Sequence, residues 1–140
     1  MISLEHANRI VGATLEKGKA LGLKPLTVAV LDAGGDLVAF ARSDHSSAMR
    51  PQIAMGKAGG ALALGVSSRT VGDMAADRPS FIASLGPISR HGVIPAAGGV
   101  LITDGNGTLL GAVGVTGDTS DNDESCALAG IESAGLKAKN

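Results

Sequence analysis

Lys57 is the residue that most invites a chemical reading in this 140-residue chain. It lies in Pro51 to Leu64, a stretch that is otherwise almost wholly apolar, within Ala-Met-Gly-Lys-Ala-Gly-Gly-Ala. Burial there would depress its pKa and suit it to base, Schiff-base or anion-binding work. The plainer alternative is a lysine that reaches solvent along its own stem. Arg50, seven residues earlier, shares its helix face two turns away. Asp121, Asp123 and Glu124 gather where a last helix begins, and acids there favour the helix dipole. Asp123 or Glu124 is also placed to pair with Lys57 or Arg50 across a pocket, or to act as general acid or base, with Glu124 favoured.

The histidines are His6, His45 and His91. His6 falls in a first helical turn and reads as surface. His45 lies in a polar loop with Asp44, Ser46 and Ser47, and His91 lies beside Arg90 in a proline-rich segment. Both loops are candidates to reach a ligand at the end of a sheet. No histidine pair has HxxxH or HExxH spacing, so structural zinc is not expected. Cys126 is the single cysteine, which excludes an internal disulfide and any CxxC motif. Neither a Gly-x-Ser-x-Gly elbow nor a Walker loop is present. Asp118 to Glu124 lacks the alternation and central glycine of a calcium loop.

These residues need elements to position them. Ser3 caps a first helix in which Leu4, Ala7, Val11, Leu15 and Gly18 recur on one face, with Thr14 its one polar member. Gly22 and Pro25 end that helix. Leu26 to Leu31 and Leu37 to Ala41 read as a hairpin around Asp32-Ala-Gly-Gly-Asp36. Pro51 opens a helix that runs to about Leu64 and stops at Gly65. Its interior Gly56, Gly59 and Gly60 each cost about 0.5–1 kcal/mol relative to alanine, so something must approach that helix closely, or room is left there for a ligand. Thr70 and Asp73 suggest the cap of a short helix, and Arg78 to Pro95, with three prolines, reads as mostly loop. Gly99 to Asp104 and Thr108 to Thr116 form a second hairpin, and Ser120 or Asp121 starts the last helix. The two hairpins match at Asp32/Asp104, Gly35/Gly107 and Leu37/Leu109, through a pseudo-repeat or through shared turn chemistry.

Hairpins joined to separate helices predict an α+β class: one layered domain over residues 1–140, with an antiparallel, about five-stranded sheet and the order α-β-β-α-(short α)-β-β-α. Composition limits the function. A net charge of -1 offers no basic field, which argues against nucleic acid and anionic membrane as partners. No apolar run of 18 residues occurs, and a cytoplasmic location is expected. Phe40 and Phe81 are the only aromatics, and the 21 glycines are about twice the average share, so a core of small aliphatics with close backbone packing is expected.

The run from Gly98 to Gly117, followed by Asp123-Glu124, Cys126-Ala127 and Ala129-Gly130, resembles the GlcG/HbpS-like family, which includes the C-terminal domain of PduO-type proteins. The leading helix, the first hairpin and the helix with Lys57-Ala58 agree, so the resemblance spans about residues 3 to 136. It implies a profilin-like sheet flanked by helices, assembly into homo-oligomers, heme or corrinoid-related binding, and residence in catabolic operons. The positions of Lys57, Asp123 and Glu124 belong to the family's motif. On this reading the chain binds a small anionic ligand, with heme the leading candidate. Arg50, Lys57 and Arg90 would meet its carboxylates, and His45 or His91 would be the axial iron ligand. The alternative is a small enzyme without an organic cofactor. It would move a proton on a hydroxy- or oxo-acid-like catabolic intermediate, in a lyase, isomerase or hydratase step, with Lys57, Glu124 and Asp123 as acid/base groups.

Overall fold

The computed structural model describes residues 1–139. Five antiparallel strands form one sheet in the order β2-β1-β4-β3-β5. The strands are β1 (Thr27–Asp32), β2 (Leu37–Arg42), β3 (Gly99–Thr103), β4 (Leu109–Thr116) and β5 (Lys137–Lys139). The helices are α1 (Leu4–Ala20), α2 (Arg50–Leu64), α3 (Ser68–Asp77), α4 (Pro79–Leu85) and α5 (Ser120–Ser133). The α+β class and the order of elements are as expected, with two additions. One is β5, which extends the sheet beside β3. The other is α4, followed by a 3-10 turn at Gly86–Ile88, in a segment expected to be loop. Pro79 opens α4, where a missing N–H costs nothing, so this proline starts a helix and does not break one.

Strand residues alternate between two covered faces. Val28, Val30, Val100, Ile102, Val113 and Val115 meet Ile10 and Val11 of α1 and Cys126, Ala127 and Ile131 of α5. Leu31, Leu101 and Ala112 meet Ala58 and Ala61 of α2. β1 and β3 are therefore buried throughout, which explains their continuous apolar runs. On α1, Thr14 is buried as its helical phase predicts, but Leu4 is exposed; Ile10 takes the inward place. Gly130 of α5 lets the two helices touch, since a Cβ there would lie 2.3 Å from Thr14 Oγ1.

The second face explains the glycines. A Cβ on Gly114 would lie 2.0 Å from the Ala54 carbonyl oxygen, and one on Gly99 would lie 2.2 Å from that of Lys57. The α2 helix thus rests on sheet backbone, at a separation only glycine permits.

Both hairpin turns are closed the same way. Asp32 Oδ1 accepts the backbone N–H of Gly34 and Asp36, and Asp104 Oδ1 accepts those of Asn106 and Thr108. Each hairpin carries an irregularity at the matching place, Val30/Leu31 and Ile102/Thr103. The likeness ends there: α2 and α5, the helices nearest the end of each hairpin unit, cover opposite faces of the sheet. Among the described residues no helix is long and apolar enough to cross a membrane.

Candidate functional site

Lys57 is buried in the middle of α2, and its side chain is 3% exposed. Its Nζ donates to the Val115 carbonyl of β4 at 3.0 Å and to Asp123 Oδ2 of α5 at 3.2 Å. Asp123 Oδ1 accepts the backbone N–H of Asp118 at 3.0 Å. One residue after Val115, at the end of β4, Thr116 Oγ1 accepts from Arg50 Nη1 at 2.7 Å. Burial lowers the Lys57 pKa, Asp123 opposes that shift, and the nearby Arg50 charge adds to it. Burial raises the Asp123 pKa, against the Asp118 N–H and the Lys57 charge. Desolvation therefore pulls both groups towards neutrality, while their contact holds them as an ion pair.

The expected pairing of Lys57 with an α5 acid is present, and the acid is Asp123. Glu124 points elsewhere. It accepts from Arg69 Nε of α3 at 3.1 Å through both oxygens, and Asp121 accepts from Arg69 Nη2. These contacts raise the Arg69 pKa, the Asp121 bond first. Arg69 was not singled out by the sequence. The cap of α3 is Ser67, which accepts the Thr70 N–H, and not Thr70 itself.

The turn that leads into α5 is held by Asp118. Its carboxylate accepts from the Asn122 amide and from the backbone N–H groups of Lys24 and Thr119, which lowers its pKa from 3.8 to about 2. A depressed carboxylate contributes stability that is present above its unfolded pKa and is lost as pH falls towards the folded value. Acid unfolding followed by circular dichroism is therefore expected to lose part of its slope between pH 3.8 and about 2 in Asp118→Asn.

The glycines of α2 leave no open room beside Lys57. The chain's own loop fills it: Cβ atoms on Gly56, Gly59 and Gly60 would meet Ile94, His91 and Val93. This seats His91 on the helix, with its Cβ 2.7 Å from the place a Gly59 Cβ would take. His91 Nε2 lies 2.6 Å from the Gly35 carbonyl of the β1–β2 turn. A carbonyl only accepts, so Nε2 carries the proton and Nδ1 is the basic nitrogen of the neutral ring. Arg90 reaches the same turn, with Nη2 2.6 Å from Asp36 Oδ1.

Arg90 and His91 form a wall shared by two cavities. One, of about 300 Å³, adds Pro51, Gln52 and Met55. The other, of about 360 Å³, includes Gly35, Gly59, Leu62 and Ile88. His45 lines neither cavity; it holds a left-handed backbone with φ 71° in the loop after β2. Lys57, Asp123 and Glu124 line neither as well. His6 is half-buried in the first turn of α1. Cys126 belongs to the core, where burial pushes its thiol pKa up. Among the described residues no group of three histidine, cysteine or acidic side chains could hold a metal ion.

The family model described as haem degrading protein HbpS-like matches residues 2–132. The chain belongs to the HbpS-like family. Solved structures agree with the fold. A PduOC:heme complex matches with a TM-score of 0.87 at 20% identity, covering 99% of each chain. The Klebsiella pneumoniae protein ORFY matches at 0.83 and 23% identity, over 96% of this chain and 90% of that one. HbpS matches at 0.80 and 26% identity, over 94% and 88%. No curated protein matches the chain significantly.

Proposed function

We propose that this HbpS-like chain binds heme at the wall formed by Arg90 and His91, where His91 would hold the iron. The carrying observation is the orientation of His91. The Gly35 carbonyl fixes its tautomer and ring, the arrangement in which an acceptor on one ring nitrogen leaves the other for a metal. The surroundings fit the group. Met55, Leu62 and Ile88 supply apolar surface on the two sides of the wall, and Arg90, half-exposed with donors to spare beyond Asp36, is placed for a propionate. Heme bound there would supply a redox-active iron. The protein's part is to orient the imidazole, hold the carboxylate and cover the ring.

A homo-oligomer belongs to the same reading. Ile88, 82% exposed, borders one of the two cavities, and Met49, 66% exposed, lies two residues before Pro51 of the other. A second copy over this rim would bury them and enclose the ligand.

The acid/base alternative lacks its groups. Lys57 and Asp123 are paired with one another and line neither cavity, and Glu124 is held by Arg69.

Hemin titration followed at the Soret band tests the site. His91→Ala is expected to weaken binding by at least ~10-fold, the lower end for disturbing a metal's ligand shell. His45→Ala is expected to titrate like wild type. Wild-type affinity and spectrum in His91→Ala would remove the assignment.

A further inference from the structure

A larger cavity, of about 490 Å³, lies on another side of the molecule and is used by neither the Lys57 tie nor the His91 wall. Its walls are the end of α1, the linker into β1 and the exit of β2. Leu15, Leu23 and Leu26 form an apolar floor, and Lys19, Lys24 and Arg42 stand around it. None of these three cations forms an ion pair with an acidic side chain among the described residues, although the Lys24 charge acts on the nearby Asp118 carboxylate. Lys19 in the last turn of α1 also complements that helix's dipole. Lys24 and Arg42 have no such role, since neither lies on a helix. Asp44 is the one acid lining the cavity, so the rim is cationic on a chain whose overall charge is -1.

The cavity is built firmly. Gly18 lets Leu26 lie against α1, since a Cβ there would be 2.7 Å from Leu26 Cδ1. A Cβ on Gly117 would lie 2.2 Å from the Pro25 carbonyl oxygen, so the linker is pressed on both sides. The Leu26 carbonyl accepts from Ser43 N at 3.0 Å and from Ser46 Oγ at 3.4 Å, which joins the linker to the β2 exit. Lys24 N donates to Asp118 Oδ1 at 3.0 Å. Ligand sites combine a preformed apolar surface with a few placed polar groups, and the guanidinium fork matches a carboxylate.

We propose that this cavity is a binding site for an organic carboxylate with an extended apolar body, its chain on Leu15, Leu23 and Leu26 and its head between Arg42 and Lys24. The site is separate from the His91 wall and does not depend on heme binding there.

Decanoate is the probe, with 1-decanol as its uncharged counterpart. Titration of the intact protein, watched by methyl NMR, is expected to show saturable shifts confined to Leu15, Leu23 and Leu26. Lys24→Glu/Arg42→Glu is expected to weaken decanoate by at least ~10-fold, the scale of losing one charge-assisted pair. Both residues are exposed, so the variant is expected to keep its fold, checked by circular dichroism. His91→Ala is expected to bind decanoate like wild type. Decanol binding as well as decanoate, indifference to the charge reversal, shifts elsewhere in the chain, or loss in His91→Ala would each overturn the proposal.

Discussion

Lys57→Met is expected to destabilise the protein by about 3–5 kcal/mol, because it leaves the Asp123 carboxylate buried without its cation. Asp123 is 1% exposed, so water cannot replace the lysine without the α5 entry opening. Asp123→Leu is expected to cost a similar amount, since it strands the ammonium. The double variant Lys57→Met/Asp123→Leu removes both charges and is expected to recover at least ~2 kcal/mol of the summed loss. Full recovery is not expected, because the Val115 carbonyl and the Asp118 N–H lose their partners. Urea denaturation of the four proteins measures the coupling, and simple additivity would show that the pair is not a unit.

The same pair sets a pH signature. The Asp123 pKa is raised from 3.8 by burial, so the native state holds that proton more tightly than the unfolded chain. Its contribution is present below 3.8 and is lost as pH rises through the raised value. The Lys57 pKa is lowered from 10.5 by burial, so its contribution is present above 10.5 and is lost as pH falls through the lowered value. The two slopes leave a shallow minimum between them, which the double variant is expected to flatten.

Gly114→Ala is the second large effect. The added Cβ would lie 2.0 Å from the Ala54 carbonyl oxygen and 3.0 Å from Ala58 N, and all of these are backbone. Nothing there can rotate away, so α2 must lift from the sheet. Overpacking of this kind costs about 1–3 kcal/mol and occasionally more, and a backbone clash belongs at the upper end. Because α2 carries both Lys57 and the glycine seat of His91, hemin affinity is expected to fall with stability. Gly12→Ala is the contrasting case. Nothing lies within 4 Å of a Cβ at Gly12, on the exposed side of α1, so the better helix former is expected to stabilise by about 0.5–1 kcal/mol. Equal costs at Gly12 and Gly114 would contradict the close-packing account of this core.

Much of the fold is legible in the residues. The Asp-Gly turns, Pro51 and Gly65 punctuate the chain where the elements change, and the glycines of α2 announce a close neighbour. The identity of that neighbour is not legible, because residues 91–94 reach the helix only through tertiary folding. Nor does the sequence say whether Asp123 or Glu124 meets Lys57. Successive helix residues differ by about 100° of direction, and α5 has too many small residues for its inward face to declare itself. The β5 strand, Lys-Ala-Lys, carries no apolar alternation, and it pairs because β3 offers a free edge. Pro79 reads as loop punctuation until its place as a helix start is seen. The His91 orientation depends on a carbonyl 56 residues away, beyond any local pattern.

Native mass spectrometry of the purified protein, with and without added hemin, tests the central claim most directly. Saturation at one heme per chain on an oligomer is expected, with loss of that adduct in His91→Ala while the assembly stays intact. Absence of hemin uptake, or unsaturating multiple adducts shared equally by wild type and His91→Ala, would contradict it.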